Sequence, residues 1–170
     1  EYLTDTLGKR VAAFGYWAGY AGAALSLKVF LSQKNNTNCS KINYYIDKSS
    51  LINELKEDLS FSNFGIPNAI IIGAFGRVGT GASDFCQTLG MKVTKWDMEE
   101  TRSRGPFKEI LDHDIFLNCI LAAKDTPMFF SKEDIKKSRK LSVIGDIACD
   151  PDSDYNPIPV YNAPTRWHKP

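Results

Sequence analysis

The stretch from Ile70 to Ala82, IIIGAFGRVGTGA, limits what this chain can fold into more than any other. Three successive isoleucines describe a strand covered on both faces, as in a parallel sheet. Glycines then recur at every third position, Gly73, Gly76 and Gly79. A strand that turns at once into a helix can bring its backbone within hydrogen-bonding distance of a pyrophosphate. A Cβ at the closest glycine would block that approach, while the helix N-terminus offers free N–H groups and partial positive charge. Glycine spacing alone is weak, but the context here is complete. Ala82, Phe85, Cys86 and Leu89 follow at helical spacing, and Gly90 is placed to cap the end. No G-K-[ST] follows, so a nucleoside triphosphatase loop is excluded.

The rest of the chain repeats the alternation. MKVTKWD is a second strand ending in Asp97, Asp114 to Leu121 a third, and Leu141 to Ile147 a fourth; Ser131 opens a helix over SKEDIKKSRK. Strands alternating with helices predict an α/β fold, a Rossmann-type, doubly wound, mainly parallel sheet. Residues 1–34 form a leading segment and a long helix with a glycine stripe, Gly15, Gly19 and Gly22. Val11, Phe14, Ala18, Ala21, Leu25 and Val29 give that helix its apolar period, and another backbone or a ligand should approach the stripe. Residues 35–66 hold a polar loop and an amphipathic helix with Ser50 as N-cap, and 67–170 the dinucleotide-binding core; the whole is one domain. Pro157 and Pro159 make the tail an extended edge.

Asp97 lies 24 residues beyond Gly73, near the offset at which a carboxylate receives ribose hydroxyls. That carboxylate would repel the extra phosphate of NADP, so the expected cofactor is NAD. The plainer alternative is that Asp97 ends a strand or caps the next helix. Arg77 lies over the pyrophosphate or adenine, or is only solvated. Ser83, Asp84 and Trp96 read as structural, Cys86 and Cys119 as core thiols, and His113 as a solvated loop residue.

Twenty-one Lys and Arg against 20 Asp and Glu leave a net charge of +1, too balanced for a nucleic-acid module. Four scattered cysteines and two histidines form no metal pattern and fit a reducing, cytoplasmic compartment. The uncharged run Val11–Leu27 is 17 residues, at the lower edge of a spanning length, and reads as a buried helix rather than a membrane segment.

Several blocks together resemble the NAD-dependent, lysine-forming saccharopine dehydrogenases, relatives of alanine dehydrogenase: GKRVAAFGYWAGYAGAAL, IIGAFGRVGTGA, KWDMEET, GPFKEI with DIFLNCI, and GDIACDPDSDYNPIPVY. The resemblance runs from about Tyr2 to Pro170 in the family's order. It implies a monomeric two-domain enzyme of which this chain is the NAD-binding part, interconverting saccharopine with lysine and 2-oxoglutarate. It also implies that Lys9, Gly76, Arg77, Asp97, Thr101, Leu121 and Ile147 contact NAD beside Gly73 and Gly79. Arg10, Phe14, Ala148, Cys149 and Asp150 would line the saccharopine site, with Arg10 as partner of a carboxylate. Lys9 stands where the family has arginine, Val78 where it has cysteine, and Leu121 where it has an aromatic. The family's catalytic lysine and histidine belong to an amino-terminal domain, so no catalytic residue is expected in this chain. The alternatives are another amino-acid dehydrogenase of the alanine type and a non-catalytic NAD-binding module.

Overall fold

The computed structural model describes residues 3–8, 10–41, 43–102, 105–148 and 151–161. Four strands, β1 (Ala69–Ile72), β2 (Val93–Trp96), β3 (Ile115–Asn118) and β4 (Val143–Asp146), pair in parallel in the order β2-β1-β3-β4. The registers join Ile72 to Trp96 and to Asn118, and Asn118 to Asp146, so all four strands end on one rung. The chain runs outward from β1 to β2, then returns across β1 to β3. That reversal marks the place where open α/β sheets carry a ligand crevice, beyond the carboxyl ends of the strands. This is the Rossmann-type arrangement that the alternation predicts.

Every residue of β1 and β3 is buried, and the period of two divides them between two cores. Ile71, Ile115 and Leu117 face helices α1 (Gly15–Lys34), α2 (Lys48–Ser60) and α3 (Arg77–Thr88), packing with Tyr20, Leu27, Phe30, Leu55 and Phe85. Ile70, Ile72 and Phe116 face the other way, onto Phe107, Ile110, Phe129, Phe130 and Ile158. Each such side chain removed from water contributes about 1.5–3 kcal/mol.

Helix α1 lies across β3 and β4 and along α3. Its glycine stripe is the packed face. A Cβ on Gly19 would stand 1.8 Å from the Val78 carbonyl oxygen, and one on Gly81 of α3 only 1.9 Å from that of Tyr16. The stripe is therefore filled by the protein itself, by the α3 backbone at Gly19 and by side chains of Arg77, Val78 and Ile147 at Gly15 and Gly22. The apolar series Val11, Phe14, Ala18 and Ala21 instead faces outward, because α1 is apolar nearly all round and periodicity alone does not choose its face. Among the described residues no helix is long and apolar enough to cross a membrane.

Other local expectations are corrected. Asp47, not Ser50, caps α2, its carboxylate accepting from the Ser50 amide at 2.7 Å. The helix expected over 131–140 is one turn, α5 (Lys132–Ile135), closed by a Ser131–Asp134 capping box. Helix α3 begins five residues earlier than its apolar period suggests. The tail forms turns through 151–161 rather than a strand, with Ile158 buried. His113 is half-buried, bonded to Thr94 Oγ1 at 2.8 Å and to the Glu109 carbonyl at 2.9 Å.

Candidate functional site: the glycine turn and the strand ends

The site grows from the end of β1. Gly73 takes a φ of +82°, open to glycine at little cost, and its N–H and that of Ala74 both donate to the Trp96 carbonyl, at 2.9 and 3.1 Å. A Cβ on Gly73 would lie 2.9 Å from the Cys119 carbonyl oxygen, across the β1–β3 crevice. Gly76 is the N-cap of α3, with no side chain capping the helix. The N–H groups of Arg77, Val78 and Gly79 thus open a helix without an internal partner of the α type. At Gly76 an added Cβ would meet only the Gly73 oxygen, at 3.5 Å, so this residue is open to the outside. At Gly79 it would lie 2.1 Å from that oxygen and 2.6 Å from Ala74 Cα. The three glycines therefore divide the work: Gly73 makes the turn, Gly76 leaves the backbone exposed, and Gly79 lets the helix close on the strand. That division is what a dinucleotide pyrophosphate requires.

Asp97 follows β2 and reaches back to the turn. Its Oδ2 accepts from the Phe75 amide at 3.2 Å and its Oδ1 from Met98 N at 2.9 Å. It also caps the short helix α4 (Met98–Thr101), with Glu100 accepting from its own N–H at 2.7 Å. Asp97 is half-buried, which leaves part of the carboxylate facing solvent. Thr101 is buried, and its hydroxyl donates to the Asp97 carbonyl at 2.9 Å.

The leading segment comes to the same end of the sheet. Arg77 is exposed and donates through Nη2 to the Arg10 carbonyl at 3.0 Å. Gly15 abuts Arg77 and Val78, each with a side-chain atom 3.3 Å from an added Cβ, so Phe14, 83% exposed, also stands beside the turn. Ile147 follows β4, donates to the Asn118 carbonyl at 3.1 Å and packs on Gly22 of α1. Leu121, 90% exposed, and Ala148 extend past the ends of β3 and β4. Lys9, Cys149 and Asp150 lie outside the described residues.

Three residues at these ends escape the sequence reading. Asn118 is buried and donates through Nδ2 to Asp146 Oδ1 at 2.9 Å, and the Tyr161 hydroxyl donates to Asp146 Oδ2. The first two were accessible as the final residues of adjacent strands; Tyr161 gave no signal. Among the described residues no cluster of His, Cys, Asp or Glu could hold a metal. Burial pushes the thiols of Cys86 and Cys119 up to about 12, which makes them inert core groups.

Fold and turn together define a Rossmann-type α/β domain whose glycine turn is shaped for a linked diphosphate. The comparisons with known proteins are more particular. The whole chain aligns with saccharopine dehydrogenases of the NAD-dependent, lysine-forming type. It is 38% identical over 180 residues to that of Yarrowia lipolytica, 42% over 181 residues to that of Emericella nidulans, and 39% over 190 residues to that of Candida albicans. The chain spans about half the length of the curated relatives it matches, 49%, 48% and 50% of them respectively. No protein-family profile matches. From end to end, then, the chain is similar to one half of the saccharopine dehydrogenases, the family its motifs resemble.

Proposed function

We propose that this chain is the NAD-binding part of a saccharopine dehydrogenase, which oxidises saccharopine to lysine and 2-oxoglutarate. The observation that carries the proposal is the open Gly76 at the uncapped start of α3, placed where the strand order reverses. The match along the whole chain supports the choice of reaction. NAD, when bound, supplies the hydride acceptor.

The chain's own residues bind and orient. Gly73, Gly76 and Gly79 leave a smooth backbone for the pyrophosphate, and Arg77 adds positive charge beside it. Asp97, already fixed by the Phe75 and Met98 amides, receives the adenosine ribose and repels a 2′-phosphate. Thr101 acts behind it by holding the Asp97 backbone. Lys9, Leu121 and Ile147 border the cofactor. Arg10, Phe14, Ala148, Cys149 and Asp150 face saccharopine, with Arg10 meeting a carboxylate. The acid–base groups come from the part of the enzyme outside this chain. A monomer in the cytoplasm is the proposed setting; the free thiols of Cys39, Cys86 and Cys119 fit a reducing compartment.

The complete enzyme should produce NADH from saccharopine. NADH formation from alanine instead would point to a related amino-acid dehydrogenase, and NAD binding without turnover to a non-catalytic module.

A further inference from the structure

We infer that Asp146 is a positioning residue for saccharopine, acting through the loop that leaves β4. This rests on the proposed function. Asp146 occupies the last rung of β4, opposite Asn118 in the register. Its two carboxylate oxygens serve different elements: Oδ1 accepts from the Asn118 side-chain amide at 2.9 Å, and Oδ2 accepts from the hydroxyl of Tyr161. Asn118 is itself oriented, because its Oδ1 accepts from the Ile120 amide at 3.4 Å, next to the crevice beside Gly73.

One carboxylate therefore joins the ends of β3 and β4 to the stretch 151–161. That stretch is fixed separately: Ile158 is buried in the second core, the Phe129 amide donates to the Pro157 carbonyl at 2.8 Å, and Asn156 bonds to both Pro151 and Ile158. The chain leaving β4 begins with Ile147 and Ala148 and continues in sequence to Cys149 and Asp150, the residues proposed to face saccharopine. The carboxylate offers one acceptor oxygen to each of two groups that arrive from different directions; an amide there would turn an NH2 toward one of them.

The test uses the complete enzyme with Tyr161→Phe, which removes one hydroxyl and no packing volume, and Asp146→Asn. The KM for saccharopine should rise about tenfold in each, as when binding shared equally by the ground and transition states is lost. Over the same series kcat should stay within about twofold, while the Kd for NAD and Tm stay near the native values; a merely structural bond would not produce that split. An unchanged KM in both variants would overturn the inference while leaving the functional reading intact. So would losses that follow Tm and NAD affinity together. A native enzyme that does not oxidise saccharopine would overturn the functional reading and, with it, a positioning role in that reaction.

Discussion

The carboxylate of Asp97 accepts a hydrogen bond from the Phe75 backbone amide at 3.2 Å, which ties the end of β2 to the glycine turn that follows β1. One residue thus shapes the turn, caps α4 and offers charge to solvent. The two readings open from the sequence, ribose partner or helix cap, are compatible at a single position. Asp97→Asn separates them. Asparagine keeps one acceptor for the cap but turns an NH2 toward the Phe75 or the Met98 amide, so urea denaturation should show a loss of about 1–2 kcal/mol. The lost charge should appear separately in cofactor choice, as a rise in NADP affinity.

Gly76 and Gly79 should respond to alanine in different ways. At Gly76 φ is −73° and the added methyl meets only the Gly73 oxygen, at 3.5 Å. Gly76→Ala should fold normally and change stability by less than about 1 kcal/mol in denaturant titrations, the entropy gain being offset by alanine's poor fit at an N-cap. Its NAD affinity should nevertheless fall at least about tenfold, because the methyl stands where the pyrophosphate meets the backbone. Gly79→Ala forces a methyl to 2.1 Å from the same oxygen and should destabilise by about 1–3 kcal/mol or more.

The α1–α3 contact makes a second pair of glycines informative. Alanine at Gly19 or Gly81 would meet backbone oxygen at 1.8 or 1.9 Å, although helix propensity favours it by about 1 kcal/mol. Overpacking should win, lowering Tm by several degrees in thermal melts. At Gly15 the neighbours are side-chain atoms at 3.3 Å, so Gly15→Ala should be nearly neutral.

Burial holds the Cys86 and Cys119 thiols protonated up to about pH 12, against an ordinary value of 9.0. The unfolded chain then releases these protons at lower pH than the native one. Their contribution is complete below pH 9 and is lost as pH rises toward 12, by up to about 1.4 kcal/mol per pH unit for each thiol. Urea denaturation across pH 8 to 10.5 should show the decline, and it should be shallower in a Cys86→Ala, Cys119→Ala variant. In native protein at pH 8, iodoacetamide should modify Cys39 well before either core thiol.

The central strands were legible because a short, wholly apolar run has few other uses: Ile70-Ile71-Ile72 lies in β1 with both faces covered. The glycine turn was legible because each glycine meets a different steric demand. The segment 131–140 misled because its charges suit a helix dipole, yet Ile135 is its only apolar side chain and a longer helix would have nothing to bury. Pro157 and Pro159 rightly barred a central strand, but what holds the tail is the buried side chain of Ile158, not an edge ladder. The bonds of His113 to Thr94 and of Asp146 to Tyr161 join residues 19 and 15 positions apart through the fold, and local pattern carries no trace of them.

The most direct measurement is a parallel titration of the complete native enzyme and its Asp97→Ala variant with NAD and NADP, followed by protein fluorescence. The account predicts that native protein binds NAD at least about tenfold more tightly than NADP, as expected for a lost charge-assisted bond plus repulsion, and that the variant largely loses this preference. Equal affinity of the native protein for both cofactors, or a preference that survives the substitution, would contradict it.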